Sequence, residues 1–163
     1  MIGLISRLLR RSEPAILDAS PRDAVALAAV HALSFPHGWS ESEFERLLSD
    51  RAVVCHVARA SGGAGAAVGF VLSRRVENEA EILMVAVSPA ERGRGLAGRL
   101  THRHLGRLAA LGITRVFLEV DEGNRPARRL YDRAGFQTVG RRSGYYQRSE
   151  GEVAALTLRR DLA

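Results

Sequence analysis

The sequence predicts a mixed α/β (α+β) domain with about seven strands and about four helices, and three observations carry that expectation. Ile82 to Val87 is an almost unbroken apolar run that stops at Ser88 and Pro89, the pattern of a strand covered on both faces ahead of a turn. Val116 to Val120 repeats that pattern before a second helical stretch. Strand-like and helix-like runs then alternate along the rest of the chain, with short connections and no internal repeat. At 163 residues there is length for a substantial core and not for a second one.

Residues 1–13 read as a basic amphipathic extension: Ile2, Ile5 and Leu9, with Leu4 and Leu8, fall at helical spacing against Arg7, Arg10 and Arg11. A surface-binding helix and a short extension packed on its own domain both fit. Its apolar run is too short to span a bilayer and lacks a small-residue cleavage site, so no membrane span and a cytoplasmic location are expected. The domain proper is placed at 14–163. A short strand is expected at Ala15 to Leu17 and an alanine-rich helix at Pro21 to Leu33. Ser40 and Glu43 have capping-box spacing and start a helix to about Leu48. Two antiparallel strands follow, about Ala52 to Ala60 and Ala66 to Val76, joined by a turn containing Gly62, Gly63 and Gly65. After the strand at Ile82 comes a helix from near Ala97 to about Leu111, and after the strand at Val116 a short one at Arg125. Asn124 is the N-cap of that short helix, Pro126 is tolerated in its first turn and Gly135 closes it. Closing strands are expected at about Thr138 to Tyr146 and Val153 to Arg159.

Between the strand at Ile82 and the helix from near Ala97 lies the run Arg92, Gly93, Arg94, Gly95, Leu96, Ala97, Gly98. Small residues there let backbone N–H groups approach an anion, and the helix that follows aims the positive end of its dipole at the same point. A pyrophosphate would fit, although a plain strand-to-helix turn is the alternative. All 24 basic residues are arginine, so nucleoside-triphosphate loops of the Gly-Lys-Ser/Thr kind and Schiff-base lysines are excluded.

Charge and metal-ligand chemistry narrow the field further. From Arg92 to Arg148 thirteen arginines face four carboxylates, which concentrates the chain's net charge of +6 around the expected anion cradle. Nucleic-acid binding would show a similar asymmetry, but Arg99, Arg103 and Arg107 recur at helical spacing without interleaved aromatics, as a solvated helix face does. Nucleic acid is therefore not expected as the primary ligand. Cys55 sits in the apolar run Val53 to Val57 and reads as a buried strand residue. His102 and His104 point to different helix faces, and His31, His37 and His56 are scattered, so no metal is expected.

At this point a resemblance is plain. Arg92, Gly95 and Ala97 match the Arg/Gln-x-x-Gly-x-Gly/Ala signature of the GNAT N-acetyltransferases, and Asn124, Ala127, Leu130, Tyr131, Gly135 and Phe136 match that family's helix after the fifth strand. The run from Leu118 to Phe136, the later Gly140 to Tyr146 and the upstream Phe35 to Ser40 look most like the RimI-type ribosomal-protein-alanine N-acetyltransferases. The likeness covers about residues 14 to 160. It implies a mostly antiparallel twisted sheet splayed between the fourth and fifth strands, and acetyl-CoA as co-substrate. The family's cofactor contacts would fall on Met84, Val85, Ala86 and Val87, on Arg92 to Gly98, and on Asn124, Ala127 and Tyr131. Glu119 would be the general base, through water, and Tyr131 the general acid toward sulfur. Phe35, Trp39, Tyr145 and Tyr146 would flank the acceptor, a protein N-terminus such as the alanine of a ribosomal protein.

Each role has a plainer counterpart. Glu119 reads also as a strand-edge ion pair with an arginine, Tyr131 as an aromatic packed on Leu130 and Phe136, Asn124 as an N-cap, and Trp39 as a hydrophobic staple. One departure bears on the acceptor: RimI-type sequences usually carry an acidic pair in the last strand, where this chain has Val153 and Ala154. Acetylation of a small amine or a lysine side chain is the alternative enzyme reading. A basic interaction module without turnover is the alternative of a different class.

Overall fold

The computed structural model describes residues 12–148 and 151–162, so residues 1–11 of the expected extension at 1–13 lie outside the described residues. One seven-stranded sheet organises the chain: β1 (Ala15–Asp18), β2 (Val53–Arg59), β3 (Ala67–Val76), β4 (Glu79–Val87), β5 (Arg115–Asp121), β6 (Gln137–Arg148) and β7 (Gly151–Asp161). Their spatial order is β1-β2-β3-β4-β5-β7-β6, and every pairing is antiparallel except β4 with β5. Among the described residues there are four α-helices: α1 (Ala24–Ala32), α2 (Glu41–Ser49), α3 (Leu96–Ala110) and α4 (Arg125–Arg133). The expected elements are all present, with boundaries shifted by a few residues; the segment read as one helix from Pro21 opens as a single 3₁₀ turn, Pro21–Asp23, before α1.

Two cores form because both faces of the sheet are covered. On one face Leu96, Leu100, Leu105 and Leu108 of α3, with Tyr131 and Leu130 of α4, pack on Val71, Ile82, Val116, Leu118 and Leu156. On the other, Leu27 and Val30 of α1 and Phe44 of α2 pack on Val57, Phe70, Leu72 and Ala86. Residues 55–58 of β2 are consequently all buried, and the two-residue alternation of a half-solvated strand disappears there. Cys55 is one of these buried residues, and burial raises its thiol pKa far above the usual range, which removes it as a nucleophile.

The parallel pair β4 and β5 is joined at one end only. Their register runs Glu79 to Arg115, Ala80 to Val116 and Glu81 to Phe117, and then stops. Outside that end, an ion pair of 2.7 Å between Arg115 and Glu79 and the bond from Thr114 N to Asn78 O (2.8 Å) hold the strands together. Beyond Glu81 the strands part. A bulge in β4 coincides with the parting: Ser73 opposes Ile82 while Leu72 opposes Met84, so Leu83 is the extra residue. Leu83 and Met84 both pack in the α1/α2 core, whereas Ile82 and Val85 face α3.

Candidate active site

The opening between β4 and β5 exposes backbone that a closed sheet would satisfy. Ser88 N donates to Val68 O (2.8 Å), so by the alternation of an antiparallel ladder Ala86 and Met84 turn their backbone groups to β3, while Val85 and Val87 turn theirs to the opening. Val87 O accepts from Arg92 Nε (3.1 Å) there. The four β4 positions expected at the cofactor, Met84 to Val87, thus divide into two that hold the sheet and two whose backbone faces the gap.

The glycine and arginine turn stands at the mouth of this gap. Gly95 is the N-cap of α3 with φ 78°, a left-handed conformation that a side chain strains, and no side chain caps the helix. The first intrahelical bond is donated by Arg99 to Gly95 O, which leaves the N–H groups of Leu96, Ala97 and Gly98 without intrahelical acceptors. All three residues line a cavity of about 480 Å³, together with Val87, Arg92, Gly93 and residues of α4. A Cβ at Gly93, Gly95 or Gly98 would meet no protein atom, so small residues leave open space where an anion could approach. Arg94, the remaining residue of the expected loop, pairs with Glu91 at 3.7 Å.

Helix α4 forms the other wall. Asn124 caps it by accepting from Ala127 N (3.2 Å), so its side-chain oxygen is engaged in the cap. At its end Gly135, with φ 84°, donates to Asp132 O and Phe136 N to Tyr131 O, both 3.0 Å, which is the Schellman closure. The apolar contact that accompanies this closure is the edge-to-face packing of Tyr131 on Phe136, with ring centroids 5.7 Å apart. The C-cap of α4 therefore fixes the ring of Tyr131 inside the α3/α4 core, 8% exposed, and burial pushes its phenol up to about 12.

Glu119 lies across the sheet from Tyr131. Its neighbours Leu118 and Val120 point into the core that holds Tyr131, so the Glu119 side chain projects from the α1/α2 face, beside the open edge of β5. Arg142 of β6 donates to it at 3.3 Å, so the strand-edge ion pair is present. The side chains of Glu119 and Tyr131 thus lie on opposite faces of the sheet.

The acceptor-side aromatics have a structural role of their own. Ser40 and Glu43 make the full capping box, and Trp39 ahead of it packs on Phe44, with centroids 5.6 Å apart, as a hydrophobic staple does. Trp39 and Phe35 also stack on His31, at 5.3 and 4.5 Å, and His31 Nδ1 accepts from Trp39 N (3.1 Å). Burial lowers the His31 pKa, so the ring stays neutral and organises the 33–40 loop. Trp39 still borders a cavity of about 450 Å³ with Leu83 of the bulge, on the face that carries Glu119. Tyr145 and Tyr146 belong to β6, and their side chains lie outside the described residues. Ala154 is buried in β7.

Sequence spacing missed two features. Arg129 and Arg133, with Pro126 and Leu130, line the cradle cavity from α4; their four-residue separation was the available signal. His56 and His104, read as unconnected, meet in the α3 core: Nδ1 to Nδ1 is 2.8 Å, and His104 Nε2 lies 2.5 Å from Ser73 Oγ. His56 Nε2 is 3.2 Å from Asp18 without meeting hydrogen-bond geometry. Burial lowers both pKa values, and this neutral pair bolts α3 to β2 and β3. Among the described residues no group of three or more His, Cys, Asp or Glu could hold a metal ion, and no helix is long and apolar enough to cross a membrane.

Comparison with known proteins shows the family and the fold. Residues 24–136 match the acetyltransferase (GNAT) family. The chain is 36% identical over 157 residues to the N-alpha-acetyltransferase RimI of Mycobacterium tuberculosis, covering 92% of this chain and 94% of that one. It is 33% identical over 84 residues to the ribosomal protein bS18-alanine N-acetyltransferase of Haemophilus ducreyi, where the match spans 52% of this chain and 58% of the relative. Its fold superposes on the crystal structure of the ribosomal-protein-S18-alanine N-acetyltransferase from Escherichia coli with a TM-score of 0.83 at 23% identity, covering 92% and 94% of the two chains.

Proposed function

The chain belongs to the acetyltransferase (GNAT) family, and from that premise we propose that it acetylates the α-amine of a protein N-terminus, with the alanine terminus of a ribosomal protein as acceptor. One observation carries the reading: the sheet parts between β4 and β5, with an uncapped helix N-terminus on one side of the opening and a carboxylate on the other. Acetyl-CoA supplies the activated thioester. The free N–H groups of Leu96, Ala97 and Gly98 suit its pyrophosphate, and the backbone of Val85 and Val87 suits the part that enters the opening.

The proton steps use this chain's own groups. Glu119 takes the proton from the incoming amine through water, and Tyr131, whose raised pKa keeps it protonated at neutral pH, donates toward the departing sulfur. The α-amine fits a single modest base. With reference pKa values of about 7.7 to 8.0 against 10.4 for lysine, roughly a third of N-termini but only about one lysine in a thousand are neutral at pH 7.5.

The test supplies acetyl-CoA with an Ala-initiated basic peptide, with the same peptide N-blocked but containing lysine, and with a polyamine panel. Mass spectrometry should place the acetyl group on the α-amine, with the N-blocked peptide at least ~100-fold poorer, a conservative share of the pKa difference. Acetylation mainly on lysine, or turnover confined to a polyamine, overturns the acceptor assignment.

A further inference from the structure

His31, 2% exposed in the last turn of α1, anchors the loop at 33–40 that carries Phe35 and Trp39. Its carbonyl accepts from Ser34 N (3.0 Å) and Phe35 N (3.1 Å). The imidazole stacks on both loop aromatics, 24° from the plane of Phe35 and 17° from that of Trp39, and Phe44 of α2 meets it edge-on at 5.6 Å. The loop backbone passes close enough that a Cβ on Gly38 would come 3.1 Å from Nδ1. There Nδ1 accepts from Trp39 N, so the neutral ring carries its proton on Nε2, which is buried and has no hydrogen-bond partner among the described residues.

A second proton on this ring breaks the arrangement. It turns Nδ1 from an acceptor into a donor facing the Trp39 N–H, and leaves two donors opposed in a buried place. The charged or titratable groups around the ring are Glu43 on α2, whose carboxylate favours the imidazolium, Arg92 of the cradle turn, which donates to Ser34 Oγ at 2.8 Å, and the exposed His37 of the loop itself. Phe70 of β3 meets Phe44 as an apolar neighbour. Stacking on aromatic faces also favours a cation. Desolvation outweighs these, and the His31 pKa lies below its ordinary value. Resting on the N-terminal acetyl-transfer reading above, we infer that His31 is a positioning residue for the acceptor: its neutral imidazole, through the Nδ1 bond to Trp39 N, holds Trp39 at the cavity beside Leu83, and protonation lets Trp39 go. The carbonyl bonds to Ser34 and Phe35 survive that release, so the loss falls on acceptor binding and not on the cofactor.

Trp39 is the chain's single tryptophan, so its fluorescence reads the loop without any substrate. Emission is titrated from pH 8 to 5 in the full chain, in His31→Asn, whose amide oxygen can accept from Trp39 N at every pH, and in His31→Phe, which keeps an aromatic ring but no acceptor. Over the same range kcat and KM for the Ala-initiated basic peptide are measured at saturating acetyl-CoA. Wild-type emission should follow one protonation below pH 6.5 while far-ultraviolet circular dichroism and acetyl-CoA affinity hold, and neither variant should show that step. Titration of the peptide amine and of Glu119 is common to all three proteins and cancels in their ratios. Below the transition the wild-type peptide KM should exceed that of His31→Asn by about tenfold, the equivalent of one buried hydrogen bond, with kcat within about threefold; above it the two should agree. His31→Phe should carry the raised KM at every pH, and so should Gly38→Ala, an exposed substitution that crowds Nδ1 without touching the core. An emission step that persists in His31→Asn, or a KM ratio that is flat in pH, overturns the positioning role. A peptide that none of the proteins acetylates overturns the acceptor reading instead; the emission step then decides for His31 alone, its presence upholding the hold on Trp39 and its absence overturning it.

Discussion

Replacing Tyr131 with Phe separates chemistry from packing more cleanly than any other substitution here. The ring keeps its edge-to-face contact with Phe136 and its place in the Schellman closure; only the hydroxyl is lost, and among the described residues that hydroxyl makes no hydrogen bond. Stability should therefore change by less than about 1 kcal/mol, since no pair of polar groups is broken. Turnover should fall by about 10² to 10⁴, the usual contribution of a general acid, which is roughly 2.7 to 5.4 kcal/mol of barrier. The predicted kinetic loss exceeds the predicted stability loss several-fold, so the two explanations do not overlap. The pH dependence has a definite sign. An acid works while it holds its proton, and burial has moved the Tyr131 pKa up to about 12, so loss of activity through its ionisation is deferred to pH values approaching 12. Wild type and variant should show profiles of the same shape between pH 6 and 9, offset in height. Thiol release at saturating acetyl-CoA, a thermal melt and acetyl-CoA binding measure the three quantities. A variant that turns over within about threefold of wild type refutes the acid assignment. One that melts several degrees lower and loses cofactor affinity together with rate shows a packing residue instead.

Two further outcomes test the cradle and the core behind it. Wild type should gain about 2.7 kcal/mol of stability at a hundredfold excess of acetyl-CoA over its dissociation constant, and Gly95→Val should show none of that gain, because a φ of 78° strains any side chain and the valine would fill the open space through which the anion approaches. Equal ligand-induced melting shifts in the two proteins would remove the turn from the site. The buried His56 and His104 pair should make the fold acid-sensitive: both pKa values are depressed, His104 to about 3, so below pH 6.5 the unfolded chain binds protons that the folded chain refuses, and stability falls as pH drops, approaching about 1.4 kcal/mol per pH unit from His104 with a further loss of the same sign from His56. Chemical denaturation from pH 7.5 to 5 should show this slope, and His104→Asn should flatten it; an unchanged slope in the variant assigns the acid sensitivity to other groups.

Most of this architecture was legible because the physical signals are local. A capping box is two residues three apart, and Ser40 with Glu43 forms one; Asn124, Pro126 and Gly135 bound α4 by the same short-range rules. The cradle was legible for a related reason: a run of small residues between an apolar strand and a helix has few conformations open to it, and Gly95 takes the left-handed one. What local patterning alone does not show depends on register, and the parting of the fourth and fifth strands was expected only from the family resemblance. The opening beside Val85 exists because β4 and β5 pair over three positions and then diverge around the Leu83 bulge, and no property of Ile82 to Val87 alone distinguishes a paired strand from a parted one. The histidine pair was hidden by burial itself. His56 lies in a strand covered on both faces, where the two-residue alternation that would mark it as facing α3 is erased. His104 was read only against His102, its neighbour on the same helix, because helical periodicity says which residues share a face and nothing about what that face meets. The bond between them spans 48 positions and forms only once β2 and α3 are stacked, so it is a consequence of the fold rather than a cue to it. The same reasoning applies to Arg129 and Arg133: their spacing put them on one side of α4, but only the closing of that side against the N-terminus of α3 turned an exposed stripe into the wall of a cavity.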